Sequence, residues 1–285
     1  MLRTLLLALF PLPLMTACVS VPEHAQLINS FGDSTPVSHI CHSKSQAQEQ
    51  AKYLINNEFS LVSWNIHKLN DAGWQDDLTR LGQEIDVLLL QEAVLQPDLE
   101  EWLEQTRLMW DMSPAFEYRK TPTGVLTAGR AQSDVNCSLI RHEPNIYLPK
   151  AALISFYPID ENKQLLLVAN IHGINFTTNA VDLAQQLDEV KAIVRHHTGP
   201  VVLAGDFNTW SQARMNTLKQ VAKELGLSPV EFDGQQPATH MGRIVDHIYF
   251  RGLEAVNSEV MPVKSSDHHP LKVRFVLNEY PAYEN

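Results

Sequence analysis

The sequence predicts an α/β layered domain. Three observations carry this: short apolar runs of strand length that are apolar on both faces, amphipathic segments of helix length between them, and polar, chemically able residues wherever the runs end. Buried strands interleaved with helices make sheets covered by helices. Ligands in such folds collect beside strand ends, where loops from several strands converge.

The chain has 285 residues, 44% hydrophobic and 19% charged, which suffices for one large core. It opens on "MLRTLLLALFPLPLMTAC", where a single charge, Arg3, precedes a short apolar stretch broken by Pro11 and Pro13. Such a run is too short to span a bilayer and reads as a signal peptide over residues 1–17. The ending "LMTACVS" resembles a bacterial lipobox with Cys18 as the lipidated residue. The expected location is the cell envelope, as a membrane-anchored lipoprotein or a periplasmic protein. An ordinary apolar N-terminus on a cytoplasmic protein is the alternative. Residues 18–57 are polar without a sustained period and read as a tether and N-terminal extension, with a short helix near "KSQAQEQAKYLI" (44–55).

From residue 58 to 280 the pattern is that of the domain. Strand-length runs are "FSLVSW" (59–64), "DVLLLQ" (86–91), "AALISFY" (151–157), "QLLLVANI" (164–171), "PVVLAG" (200–205), "RIVDHIYF" (243–250) and "LKVRFVL" (271–277). In "NAVDLAQQLDEVKAIVRHH", Val181, Ala184, Leu187, Val190 and Val194 recur at helical steps, with Asp182 near the start and Arg195 to His197 near the end to suit the helix dipole. A further helix runs from Ser211, a good N-cap, to about Leu225, with Gly226 as its stop. The chain is expected to be monomeric.

With 22 Lys+Arg against 33 Asp+Glu, the net charge is −11. No broad basic field exists to hold nucleic acid by counterion release, although a local groove or a bound metal can supply positive charge. The cysteines are Cys18, Cys41 and Cys137, with no C-x-x-C spacing for zinc. In an oxidising compartment Cys41 and Cys137 could pair; in the cytosol they would be free thiols.

The chemistry gathers at the strand ends: Asn65; Gln91 and Glu92; Asn170, His172 and Asn175; Asp206 and Asn208; Asp246; Asp267 and His268. One carboxylate at a strand end is ordinarily a cap or turn residue. Six such sites after apolar runs are not explained by capping. Asn, Glu and Asp offer hard oxygen ligands suited to Mg²⁺ or Mn²⁺, and a histidine beside two aspartates can be oriented and transfer a proton. Together these equip a site for phosphate-ester hydrolysis. No G-x-S-x-G and no P-loop occurs.

"SWNIH", "LLLQEA", "ANIHGIN", "LAGDFNTW", "RIVDHI" and "SSDHHPL", in that order, resemble the ordered motifs of the endonuclease/exonuclease/phosphatase superfamily, which is deoxyribonuclease I-like. Among its branches the chain most resembles bacterial members of unassigned function, so the resemblance brings a bond type and no substrate. It implies a four-layered α/β sandwich, two central mixed β-sheets flanked by helices. It also implies that Glu92 is the principal metal ligand, completed by Asn65 and Asp267, directly or through water. His268 would be the acid/base residue, Asp246 its orienting partner, Asp206 the group that positions or deprotonates the attacking water, and Asn208 a stabiliser of phosphoryl oxygens. His172 would be a second histidine touching the phosphate. His269 is expected to be a surface or packing residue and His247 a structural one, and Trp64 and Trp210 are expected to pack.

The implied function is a metal-dependent phosphodiesterase or nuclease using Mg²⁺, or Mn²⁺ in its place, on nucleic acid, a phosphorylated small molecule or a lipid. The alternatives are a phosphomonoesterase or phospholipid phosphodiesterase of the same fold, and a non-catalytic envelope lipoprotein. The basic DNA-binding loops of repair nucleases are missing, which counts against duplex DNA.

Overall fold

The computed structural model describes residues 19–32, 34–36, 41–43, 58–82, 85–146, 148–159, 164–232, 234 and 236–278. The signal-peptide reading, Cys18 and the helix expected over 44–55 lie outside the described residues.

The first half of the described chain runs β1 (Val19–Ser20), β2 (Gln26–Asn29), β3 (Ser34–Pro36), β4 (Cys41–Ser43), β5 (Glu58–Asn65), α1 (Trp74–Gly82), β6 (Val87–Val94), α2 (Pro97–Thr106), β7 (Met109–Tyr118), β8 (Thr121–Gly129) and β9 (Val135–His142). The second half runs β10 (Pro149–Pro158), β11 (Leu165–His172), α3 (Val181–Val194), β12 (Val201–Asp206), α4 (Gln212–Glu224), β13 (Ser228–Pro229), β14 (Thr239–His240), β15 (Arg243–Ile244), β16 (Asp246–Arg251), β17 (Leu253–Val260) and β18 (Leu271–Leu277).

Two mixed sheets result. The first has the order β17-β18-β5-β6-β8-β7-β2-β3, with β1 also paired to β7; the second has the order β13-β16-β12-β11-β10-β9-β4. Successive residues of a strand face opposite sides, so a strand apolar throughout must be covered twice. Phe59, Leu61, Val87, Leu89, Val273 and Phe275 of the first sheet meet Leu166, Val168, Val202 and Ala204 of the second, forming the core between the sheets. The alternate residues Val62, Trp64, Leu88 and Leu90 pack outward on Leu78 and Leu81 of α1 and Leu99 and Leu103 of α2. On the far side Leu167, Ala169, Ile171 and Leu203 pack on Leu187 and Val190 of α3 and Leu218 and Val221 of α4. The architecture is therefore the four-layered α/β sandwich.

Several expectations are corrected in detail. The segment read as a tether contains β1 to β4, which extend both sheets, and Cys41 of β4 forms a disulfide with Cys137 of β9. "RIVDHIYF" is broken at Val245 into β15 and β16. The buried stripe of α3 is Leu183, Gln186, Leu187, Val190 and Val194; Val181 is exposed and Ala184 only partly covered. The Ser211 cap is as expected, its hydroxyl accepting from Arg214 N.

Candidate active site

The register of the second sheet assembles half of the site. His172 of β11 pairs with Asp206 of β12, and Asp206 pairs with Asp246 of β16. Directly paired residues share a face, so three strands present His172, Asp206 and Asp246 in one row. All three are buried. The close approach of β12 to β11 requires glycine one residue earlier: Gly205 has φ +138°, and a Cβ there would meet Ile171 O at 2.0 Å.

The first sheet supplies the facing half. Asn65 ends β5 beside Gln91 of β6, and the β6–β8 pairing slips between Leu90 and Ala93. At that bulge Glu92 takes φ +53°, a left-handed backbone within a strand. Bulges re-aim side chains, and this one directs Glu92 into the cavity. Asn208, after β12, is likewise left-handed at φ +51°. Such conformations concentrate at functional sites, and Asn tolerates them better than most residues.

His268 is fixed from several sides. Its backbone N–H donates to Ser266 Oγ at 3.0 Å, Ser266 Oγ donates to Asn65 O at 2.7 Å, and the Trp64 indole donates to His268 O at 3.1 Å. Its ring Nδ1 lies 2.7 Å from Asp246 Oδ2, and its Nε2 is 3.9 Å from Asp206 Oδ2. Burial disfavours the charged ring, but Asp246, with Asp206 and Asp267, overrides it and pushes the pKa of His268 up to about 10. Burial pushes the Asp246 carboxyl up to about 6, with His268 opposing it, so the two groups titrate as a pair, and Nε2 of the ring faces the cavity.

Asp206 is held by Asn65, whose side-chain amide donates to Oδ2 at 3.0 Å, and by Asn208 N–H donating to Oδ1 at 2.9 Å. The Asn208 amide donates to Gly173 O at 3.0 Å. Behind it, the fully buried Arg214 donates through Nε to Asn208 O and through its terminal nitrogens to Ile174 O, Thr177 Oγ1 and Asn179 O.

Glu92 is the centre of a charge cluster. Lys68 donates to its Oε2, and Lys150 Nζ and His172 Nε2 lie 3.8 and 3.7 Å from its Oε1. Burial raises the Glu92 pKa, and His172, Lys150 and Lys68 together reverse this and lower it, so the group stays a carboxylate. His172 Nε2 is 2.7 Å from Lys150 Nζ. Burial, with Lys150 next, holds the His172 pKa well below its ordinary value; the ring is neutral, and its Nε2 accepts from the ammonium. Burial lowers the Lys150 pKa as well, with Glu92, Asp206 and Glu143 opposing it.

Glu92, Asn65 and Asp267 all line one cavity of about 390 Å³, together with His67, Lys68, Lys150, His172, Asp206, Asn208 and His268. A carboxylate, an amide oxygen and a second, exposed carboxylate make a donor set that fits a hard divalent cation. Asp206, Asp246 and His268 also offer ligand atoms within 4.8 Å of one another. In that trio the His268 and Asp246 atoms are already hydrogen-bonded to each other at 2.7 Å.

Every candidate site residue within the described chain comes to this one place except Gln91 and Asn170. Gln91 and Asn170 are fully buried between the sheets, where Gln91 Nε2 donates to Asn170 Oδ1 at 2.7 Å and Asn170 Nδ2 donates to Leu126 O at 2.9 Å. Asn175 lines the cavity, but its Oδ1 accepts from the Trp210 indole. His269 Nδ1 accepts weakly from Val263 N at 3.4 Å, and His247 faces away from the cavity onto Thr209. Sequence reasoning missed Lys68, Lys150 and His67, whose Nδ1 is 2.7 Å from Asp71 Oδ2 and 3.8 Å from Asp267 Oδ1. The available signal was position: Lys150 abuts an apolar run, and Lys68 directly follows "SWNIH".

A four-layered sandwich with these groups at one end of both sheets defines a class, and residues 62–268 match the Endonuclease/Exonuclease/phosphatase family, to which the chain belongs. Curated relatives include a UPF0294 protein of Yersinia pseudotuberculosis, 40% identical over 75% of this chain and 82% of its own length. A UPF0294 protein of Vibrio parahaemolyticus is 34% identical over 91% of this chain and 92% of its own. Solved structures with the same fold include an endonuclease/exonuclease/phosphatase from Beutenbergia cavernae (TM-score 0.59, 18% identity, 80% of this chain and 73% of that one). The human Nocturnin catalytic domain with bound sulfate anion is another (TM-score 0.59, 14% identity, 79% and 96%).

Proposed function

We propose that the protein is a Mg²⁺-dependent phosphodiesterase or nuclease, with Mn²⁺ able to substitute. The observation that carries this is the row His172–Asp206–Asp246 with His268 hydrogen-bonded to Asp246, opposite the oxygen donors Glu92, Asn65 and Asp267. Glu92, Asn65 and Asp267 would hold the cation, which supplies charge to polarise a phosphoryl oxygen. Lys68 shares Glu92 with it and would yield that carboxylate when the cation binds.

The chain's own groups divide the proton work. Asp206, its oxygens fixed by Asn65 and by Asn208 N–H, takes the proton of the attacking water. His268, as an imidazolium, gives its Nε2 proton to the leaving oxygen, and Asp246 keeps the ring aligned and favours its charged form. Lys150, held by His172, adds positive charge where negative charge develops on the phosphoryl group. The Asn208 amide lies at the same wall.

We further propose a cell-envelope location with Cys18 as a lipid anchor; the Cys41–Cys137 disulfide supports an oxidising compartment. Mass spectrometry of the mature N-terminus tests the anchor, and an unprocessed Met1 removes it. The activity is tested by assaying purified protein on nucleic acid, sphingomyelin-like lipid and phosphoinositides, with Mg²⁺, with Mn²⁺ and with chelator. Metal-dependent turnover that His268→Ala and Glu92→Gln each reduce by orders of magnitude is expected. Equal rates in wild type and both variants would sink the reading, and turnover of monoesters alone would favour the phosphomonoesterase alternative.

A further inference from the structure

One wall of the cavity is apolar and belongs to none of the roles above. Phe176 is 51% exposed and Ile146 42% exposed, and Phe116 and Leu148 line the same cavity. Large exposed apolar side chains grouped at a cavity mouth mark a surface that binds something.

The posture of Phe176 is fixed by the chain around it. Glu143, fully buried, accepts the backbone N–H groups of Asn175 at 2.5 Å and Phe176 at 2.9 Å on its two oxygens. The Asn145 side-chain amide donates to Phe176 O, which ties the Ile146 segment to the Phe176 segment. Arg214 holds Ile174 O on one side and Thr177 Oγ1 and Asn179 O on the other. A buried carboxylate and a buried guanidinium thus brace a loop whose tip is an uncovered phenyl ring.

Charge decides what that ring can meet. Among the described residues lining the cavity, Lys68 and Lys150 are the lysines, no arginine occurs, and both lysines are paired with Glu92. The cations suffice for one phosphate at the reaction centre. A second phosphate, as in the next nucleotide of a polynucleotide, would meet an apolar wall on a chain of net charge −11.

We infer that Phe176, with Ile146 and Phe116, forms the subsite for an uncharged apolar ester group. The substrate is then a phosphodiester carrying one large apolar substituent, from a lipid or an aryl ester, in place of a polynucleotide. This rests on the phosphoester reading of the same site and names the substrate class within it.

The test is calorimetric binding of product-like phosphates in the presence of Mg²⁺: methyl, hexyl and phenyl phosphate and a thymidine dinucleotide. Burying two or three methylenes of the ester group strengthens binding by about tenfold or more. Hexyl or phenyl phosphate is expected to bind wild type at least about tenfold more tightly than methyl phosphate. Phe176→Ser and Ile146→Ser should lose most of that gain while thermal unfolding stays cooperative, since backbone hydrogen bonds hold the loop. Whether hexyl or phenyl phosphate binds more tightly separates the lipid source from the aryl one. The inference is overturned if affinity is independent of the ester group, if Phe176→Ser keeps the full gain, or if the dinucleotide outbinds both apolar phosphates. Binding is read apart from turnover. A protein that shows the apolar gain but hydrolyses no phosphodiester keeps the subsite and loses the proposed function; one that hydrolyses diesters without the gain keeps the function and loses the subsite.

Discussion

His268 and Asp246 meet at the end of the second sheet, Nδ1 to Oδ2 at 2.7 Å, and the other nitrogen of the ring stands 3.9 Å from Asp206 Oδ2. The two nitrogens have separate duties: one is committed to holding the ring, the other faces the cavity. Asp246→Asn keeps the shape of the partner and removes its charge. Hydrolysis is expected to fall by about 10²- to 10⁴-fold, the usual contribution of positioned acid–base groups. Metal affinity, measured by titration calorimetry, should change far less than in Glu92→Gln. A loss as large as that of Glu92→Gln would move Asp246 into the ligand set instead.

Asn208 has a left-handed backbone and, in the proposed mechanism, a chemical role, and two substitutions separate them. Its φ of +51° suits Asn or Gly, and a residue with an ordinary Cβ is strained there by about 1 kcal/mol. Asn208→Gly and Asn208→Ala both remove the amide beside Asp206 and should both lower kcat. In urea unfolding, Asn208→Ala should be the less stable of the two by about 1 kcal/mol. Equal stabilities would show that the left-handed backbone is not what selects Asn at this position.

Among the described residues no carboxylate is hydrogen-bonded to the buried Arg214; its guanidinium is spent on the carbonyls of Asn208, Ile174 and Asn179 and on Thr177 Oγ1. Burial lowers its pKa, and Glu143 and Asp206 oppose that. Arg214→Met fills much of the volume and leaves those acceptors buried and unpaired, each at a cost of about 1–3 kcal/mol where water cannot reach it. A loss of roughly 3 kcal/mol by chemical denaturation is expected, together with a fall in kcat because Asn208 loses its anchor. An unchanged kcat in folded Arg214→Met would uncouple this brace from catalysis.

What was legible in the sequence divides along physical lines. β5, β6, β10, β11, β12 and β18 are covered on both faces, so their sequences are nearly continuous apolar runs. β7, β8, β9 and β17 were not read as strands. β8 contains Pro122, Gly124 and Gly129, which look like turn residues, yet a Cβ at Gly124 would meet Ser113 O of β7 at 2.1 Å, so glycine there serves a close strand pairing. β17 is a sheet edge with exposed Glu254, Asn257 and Glu259, and edge strands lose the apolar signature. In the site, residues that recur at strand ends were visible. Lys150, Glu143 and Arg214 were not, because each acts through a partner distant in sequence: His172, the Phe176 loop and the Ile174 carbonyl.

His247 gives the pH dependence its clearest sign. Its ring packs between Phe207 and Tyr249, and its Nε2 lies 2.7 Å from Thr209 Oγ1, which itself donates to Ile244 O. Burial pushes its pKa down to about 4 from 6.5, with the Ile244 carbonyl and Asp206 opposing and Lys219 adding to the shift. Above pH 6.5 the ring is neutral in both the folded and unfolded states and contributes nothing to the pH dependence. As pH falls from 6.5 toward 4 the unfolded chain takes up a proton that the folded ring refuses, so stability is lost across that window. At about 1.36 kcal/mol per unit, the upper limit is roughly 3 kcal/mol, reached near pH 4. His247→Gln can still donate to Thr209 and does not titrate. The difference in unfolding free energy between pH 7.5 and pH 5 should therefore be smaller in His247→Gln than in wild type by about 1–2 kcal/mol. Parallel pH profiles in the two proteins would mean that another group carries the acid sensitivity.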